Sequence, residues 1–283
     1  MADFKRLIRF EDSDGAVRYG EAEDGVDLVG QRVSVYSGTD PWALQMTGET
    51  AEVVKVLCPL RSSPIIYGVG LNYKHHIQEA GFPLPKFPTV FTKPSDALAG
   101  PFEEITVNTG CLEMDYEGEL CIVIGRDMKN FSEGDNPLEF VLGYTVGNDL
   151  SSRYWQTPER SGHQHGMAKS FDKFAPIGPA IISPRHLALK DNTMDGIPDL
   201  LLCTQVNGEV RQRARTSDLV FGLTDIFTFL SRGRTIRAGT LIMTGTPGGV
   251  GAFMKPPAWL ESGDTVEVRI EHIGVIQNHI SLE

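Results

Sequence analysis

The sequence is short of what several large protein classes require. Its four cysteines, Cys58, Cys111, Cys121 and Cys203, are scattered with no Cys-x-x-Cys pair. That excludes a zinc ribbon or a thioredoxin-type motif and suits free thiols in a reducing compartment. Basic residues are outnumbered, 26 Lys and Arg against 37 Asp and Glu, for a formal net charge of -11. Such a balance disfavours nucleic acid, which selects basic faces, and equally an anionic membrane surface. No apolar run approaches the roughly 20 residues that span a bilayer. The first residues, MADFKRLIRFEDSDG, lack the apolar core of a secretory signal and turn acidic by Asp12. A soluble intracellular protein is expected, cytoplasmic first with the mitochondrial matrix as the alternative, since the same opening residues give a transit peptide little support.

What remains is enough chain for one large unit and a small one: 283 residues, 41% of them hydrophobic. Residues 4–36 alternate apolar and polar positions, with Asp-Gly pairs at 14–15 and 24–25, which signals antiparallel hairpins. Residues 40–57 (DPWALQMTGETAEVVKVL) read as a short helix and a linker. The texture changes near residue 60, so a small N-terminal β domain (1–60) and a larger β-rich domain (61–283) are expected. Strands are legible in IIYGVG, TVFTKP, ELCIVIG, FVLGYTVGND, PAIIS, LLLCTQVNG, LIMTG and TVEVRIEHIG. The clearest helix signal is TSDLVFGLTDIFTFLSR (216–232), with apolar residues at 219, 220, 223, 226, 227 and 230.

The stretch DYEGEL (115–120) runs into the apolar CIVIG, and on one strand Asp115, Glu117 and Glu119 would share a face. Carboxylates crowded that way repel unless something positive sits between them. Two glutamates at i, i+2 can aim at one hard cation, and Asp149, ending VLGYTVGND, offers a third oxygen donor. A solvated strand end is the bland alternative. The cluster contains no histidine or cysteine, which disfavours zinc.

Three further stretches bear on chemistry. GVGLNYKHHIQEAGFPLP (68–85) reads as a mobile loop with a turn or two of helix. Helix over 73–80 would set His76 beside Glu79, the arrangement of an oriented general base; otherwise the loop carries incidental charges. In NDLSSRYWQ (148–156), Arg153 and Gln156 suit a substrate carboxylate and carbonyl, or else Arg153 pairs with the acidic cluster. Lys169, in KSFDKFAPIGP, faces solvent or, if it lies near the carboxylates, stabilises an enolate or carboxylate. TGTPGGVG (244–251) offers backbone N–H groups as an anion nest but lacks the Gly-Lys-Ser/Thr ending of a P-loop.

GLNYKHHIQE, FTKPSDALAGP, DYEGELCIVIG, GYTVGNDLSSRYWQ, KSFDKFAPIGP, VNGEVRQ and IMTGTPGGVG occur in this order over roughly residues 60–283. The series resembles the fumarylacetoacetate hydrolase superfamily. Its tail, GVGAFMKPPAWLESGDTVEVRIEHIGVIQN, is most similar to the eukaryotic domain-containing branch that includes oxaloacetate tautomerases.

The resemblance implies a mixed α/β, β-rich fold, a mixed β-sandwich roll, assembled as a homodimer with Mg²⁺ or Mn²⁺. It implies Glu117, Glu119 and Asp149 as metal ligands, with Asp115 outside that set. It implies His76 and Glu79 as a catalytic dyad on a lid, Lys169 as the active-site lysine, and Arg153, Gln156 and Thr246 as substrate-binding residues. The implied reaction passes through a metal-stabilised enolate of a small-molecule 2-oxo acid. Oxaloacetate keto–enol tautomerisation is favoured, with acylpyruvate- or fumarylacetoacetate-type C–C hydrolysis or oxaloacetate decarboxylation as alternatives. A non-catalytic metal-binding scaffold is the reading from another class, and retention of every expected ligand argues against it. One departure stands out: the loop PERSGHQHGMA (158–168) carries His163 and His165 outside the family pattern, so it is expected to shape the substrate pocket.

Overall fold

The computed structural model describes residues 3–23, 27–187 and 195–283. The architecture is β-rich mixed α/β. A long mixed sheet runs Gln45–Glu52, Arg32–Ser37, Val17–Glu21, Arg6–Glu11, Ala175–Ile182, Val141–Asn148, Gly118–Ile124, Leu241–Met243, Ile66–Gly70, Thr89–Lys93. A second sheet runs Glu209–Arg215, Leu201–Val206, Thr265–Ile270, Gly274–Leu282, Ile105–Val107. Most neighbours are antiparallel, but Leu241–Met243 lies parallel to Ile66–Gly70 and Gly274–Leu282 parallel to Ile105–Val107.

The strand Gly118–Ile124 is buried along its whole length, which is why it reads as an apolar run rather than an alternation. Leu120, Ile122 and Ile124 enter the core shared with Leu202, Val266 and Val268 of the second sheet. Cys121 and Val123 face the other way, among Ile177, Ile181 and Met243. Period-two alternation puts Glu119 on that second side. Gly118 marks where the sheets press together: a Cβ there would meet Thr204 Oγ1 at 2.2 Å.

The hairpin expected at Asp14–Gly15 joins Arg6–Glu11 to Val17–Glu21. Asp12 closes it by accepting from the N–H groups of Asp14 (3.0 Å) and Ala16 (2.9 Å), while Gly15 takes φ +77°. The Asp24–Gly25 signal lies outside the described residues. The Arg6–Glu11 strand also pairs with Ala175–Ile182, so the N-terminal strands extend the long sheet.

Two expectations are corrected. Residues 40–57 form no helix; they carry the strands Gln45–Glu52 and Lys55–Leu57. Pairing with Arg32–Ser37, reinforced by the Thr47 hydroxyl donating to Val35 O (2.7 Å), overrides the helix formers in that stretch. Nor is 216–232 one helix. A 3-10 turn at Thr216–Asp218 and a helix at Leu223–Ser231 flank an extended Gly222. The break follows from Asn72, whose carbonyl and side-chain oxygens accept from the Val220 N–H (2.7 Å) and the Phe221 N–H (2.8 Å). Among the described residues no helix is long and apolar enough to cross a membrane.

Candidate active site

Two antiparallel chain segments build the acidic cluster. Gly118 and Glu119 pair with Asn148 and Gly147, and the short strand Met114–Asp115 pairs with Ser151–Ser152. Between these ladders the chain opens at Glu117 and Asp149, where the Asp149 N–H donates to Glu117 O (2.8 Å) and the Glu117 N–H to Asn148 Oδ1 (2.9 Å). The break turns three carboxylates inward: one oxygen each of Glu117, Glu119 and Asp149 lie within 4.8 Å of one another, all buried. Asp115 and Glu119 therefore do not share a strand, as the alternation had suggested. Asp115 is fully buried elsewhere, accepting from Gly251 N–H (2.7 Å), Ala252 N–H (3.0 Å) and Arg153 Nε (2.8 Å).

Countercharges are shared unevenly. Lys169, delivered by the helical turn Gly166–Lys169, sets its Nζ 3.0 Å from Glu117, 2.5 Å from Asp149 and 2.8 Å from the Ser151 hydroxyl. Arg153 adds an ion pair to Glu117 (2.6 Å) and donates to Gln156 Oε1 (2.9 Å). Lys93, buried at the end of Thr89–Lys93, pairs with Asp149 and donates to the carbonyls of Leu150 and Phe174. Glu119 contacts no cation among the described residues; it accepts the Gly245 N–H (2.6 Å).

The ionisation equilibria follow. Burial pushes Glu117 up, but Lys169 and Arg153 outweigh it and hold the carboxyl at about 2. Glu119 is pushed well above the carboxylate range by burial, then by Asp149 and Glu117. Burial works to lower Lys169, yet Asp149 and Glu117 raise it, so it stays a cation. Burial depresses Lys93, and its pairing with Asp149 offsets this only in part. Four buried carboxylates thus face three cations, and Glu119 is the uncompensated one. An all-oxygen donor set with a buried carboxylate lacking its countercharge fits a hard divalent cation and not zinc.

The helix expected over 73–80 forms at Lys74–Glu79 and ends at Gly81, φ +70°. His76 Nδ1 stands 3.2 Å from Glu79 Oε2, and the ring meets Phe253 edge-on at 5.6 Å. The helix is docked: both Glu79 oxygens lie 3.2 Å from the Gly249 N–H. Gly249 is required there, because it takes φ +99° and a Cβ would meet Arg211 O at 2.1 Å. The glycine-rich stretch 244–251 is therefore no open anion nest. It gives its N–H groups to the chain's own carboxylates, Gly245 to Glu119, Gly249 to Glu79 and Gly251 to Asp115. Through it the His76–Glu79 dyad is tied to the acidic cluster.

Thr246 lies between these groups, with its hydroxyl already engaged. It donates to Gly118 O (3.1 Å) and accepts from Gln212 Nε2 (2.7 Å). Of the two histidines in the 158–168 loop, His163 is exposed, while His165 packs edge-on against Phe91 at 6.1 Å.

A family model described as "Fumarylacetoacetate (FAA) hydrolase C-terminal" matches residues 65–281. The chain belongs to the fumarylacetoacetate hydrolase family. It is 42% identical over 231 residues to a fumarylacetoacetate hydrolase domain-containing protein 2 homolog of Dictyostelium discoideum, covering 81% of this chain and 75% of that one. It is 39% identical over 227 residues to a mitochondrial oxaloacetate tautomerase of Homo sapiens, covering 80% and 69%. The crystal structure of a 2-hydroxyhepta-2,4-diene-1,7-dioate isomerase from Mycobacterium marinum superposes with TM-score 0.81 at 33% identity, over 99% of each chain. The fold is thus the family's fold.

Sequence reasoning missed Lys93 and Gln212 in this family member's site. Gln212 accepts from Gly118 N–H (3.0 Å) and donates to Thr246 and to Pro247 O (2.9 Å), locking the glycine between the two glutamates to the 244–251 loop. Both residues sit in stretches that carry the resemblance, FTKP and VNGEVRQ, but no local pattern distinguishes them from a surface lysine and a surface glutamine.

Proposed function

We propose that this enzyme of the fumarylacetoacetate hydrolase family interconverts the keto and enol forms of oxaloacetate in a divalent-cation-dependent reaction. The observation that carries this reading is the buried Glu117–Glu119–Asp149 cluster, in which Glu119 makes no ion pair among the described residues while Lys169 spans the other two. Relatives bearing the name oxaloacetate tautomerase support the substrate.

Mg²⁺ or Mn²⁺ held by Glu117, Glu119 and Asp149 would supply Lewis-acid polarisation of a chelating 2-oxo acid. The remaining work falls to the chain. Lys169 stays protonated between two carboxylates, so its part is to stabilise negative charge developing on the keto oxygen as C3 loses a proton. His76 carries the proton to or from C3, oriented by Glu79. Arg153 is committed to Asp115, Glu117 and Gln156. It therefore acts by fixing Glu117 and turning the Gln156 amide toward the substrate. The Thr246 hydroxyl has its proton on Gly118 O and one lone pair on Gln212, so toward the substrate it can act only as an acceptor or through its backbone. The family resemblance favours a homodimer, and relatives named as mitochondrial favour a place in the mitochondrion over the cytoplasm.

The test is enol-to-keto conversion of oxaloacetate, followed by enol absorbance with Mg²⁺ and with chelator. Chelator-sensitive acceleration without loss of total oxaloacetate is expected. No acceleration, with cleavage of an acylpyruvate instead, would replace this reading by C–C hydrolysis.

A further inference from the structure

His165 is a polar group next to the reaction centre to which the proposed mechanism assigns no work. It directly precedes the turn Gly166–Lys169 that delivers the active-site lysine. Its ring and the Lys169 ammonium touch the same side chain: Phe91 receives the imidazole edge at 6.1 Å and carries Lys169 Nζ 4.7 Å from its centroid. The ring is half-buried, yet its Nδ1 is shut off from solvent and has no hydrogen-bond partner among the described residues. Buried ring nitrogens in folded proteins are nearly always paired, so an unpaired one at the wall of a site calls for a ligand atom.

The surroundings limit what that ligand atom is. Burial depresses His165 most, followed by the field of Lys169; Glu117 and Asp149 push the other way and Arg153 adds to the lowering, so the net shift is downward. The imidazole is therefore neutral at pH 7, presenting one N–H donor and one acceptor. In the proposed reading a divalent cation held by the carboxylate cluster, with Lys169 and Gln156, would take the 2-oxo acid head, and the other end of the molecule would lie against the 158–168 loop that leads into Lys169. His163, the other histidine of that loop, is exposed and makes no ring contact among the described residues.

We propose that His165 selects the substrate: a turn of its half-buried ring about the Cβ–Cγ bond brings Nδ1 to the open side, where it hydrogen-bonds the carboxylate that a short 2-oxo diacid carries at the end away from its keto group. This inference rests on the 2-oxo acid reading and deepens it, since it separates diacids from acids with an apolar tail.

The test compares binding of oxaloacetate and pyruvate, which share the 2-oxo acid head and differ in the distal carboxylate, by calorimetry on the full chain with Mg²⁺. His165→Phe keeps the ring packed on Phe91 without its nitrogens; His165→Gln restores an N–H donor. Loss of a hydrogen bond to a charged group predicts that His165→Phe weakens oxaloacetate binding about 10-fold or more and changes pyruvate binding less than about twofold. His165→Gln should recover part of the loss. Equal losses for both ligands, no loss, or a wild type that does not prefer oxaloacetate would each overturn the selection role. A wild type that binds neither ligand would instead sink the 2-oxo acid reading, and the inference with it. If His165→Phe does not fold, the His165→Gln to His165→Leu comparison reads the same difference.

Discussion

Asp115 Oδ2 lies 2.8 Å from Arg153 Nε, and its Oδ1 accepts the Gly251 N–H at 2.7 Å, so one buried carboxylate joins the arginine of the site to the glycine-rich stretch. The other arm of Arg153 pairs with Glu117 at 2.6 Å. Removing one partner of a buried ion pair leaves the other uncompensated, which costs about 3–5 kcal/mol. Asp115→Ala is expected to destabilise the fold by that amount in urea unfolding and to weaken Mg²⁺ binding, because Arg153 no longer holds Glu117. A variant of wild-type stability would mean that the loop and the arginine are held by something else.

Gly118 separates the two glutamates for a steric reason. With Thr204 Oγ1 only 2.2 Å from where a Cβ would stand, Gly118→Ala forces the sheets apart. Overpacking of this kind costs about 1–3 kcal/mol. The same shift would carry Gly118 N–H away from Gln212 and Thr246 away from Gly118 O. Adding Thr204→Ala removes the nearest clashing atom, so the double variant should regain part of both the stability and the Mg²⁺ affinity. If the second change adds to the damage, the close approach is not the cause.

This dependence on distant partners explains what the sequence could and could not reveal. The triad was legible because its cues are local: Glu117 and Glu119 at i, i+2 beside an apolar run, and Asp149 ending a strand. The dyad was legible because helical spacing alone brings His76 to Glu79. Lys93 and Gln212 were not, since their partners Asp149 and Gly118 lie 56 and 94 residues away. Asp115 looked like a strand neighbour of Glu119 because nothing local announces the break that pairs it with Ser151 instead. The segment Gln45–Glu52 failed for the same reason, as its state is decided by Arg32–Ser37 and not by its own propensities.

Glu119 is the carboxylate that a cation would relieve. Buried beside Glu117 and Asp149, with the Gly245 N–H as its hydrogen-bond donor, it is costly as an anion. Glu119→Gln keeps its shape and removes the charge. In chelator the variant should therefore melt at or above the wild-type temperature. Wild type should gain stability with Mg²⁺ by mass action, about 2.7 kcal/mol at a hundredfold excess over the dissociation constant, and the variant should gain none. A variant that still responds to Mg²⁺ would remove Glu119 from the ligand set.

His76 and Glu79 should affect turnover without affecting the cation. They meet each other at 3.2 Å and reach the acidic cluster only through the 244–251 stretch, with no direct bond to the three carboxylates among the described residues. Removal of a positioned acid–base group lowers rates by about 10²–10⁴-fold. His76→Ala is therefore expected to reduce oxaloacetate turnover on that scale while its Mg²⁺-induced thermal shift matches wild type. Glu79→Gln should fall between the two, since the amide oxygen can still accept the Gly249 N–H but the side chain no longer carries a charge beside the ring. Loss of the Mg²⁺ shift in His76→Ala would show that the dyad supports the cation site, and its role in proton transfer would have to be withdrawn.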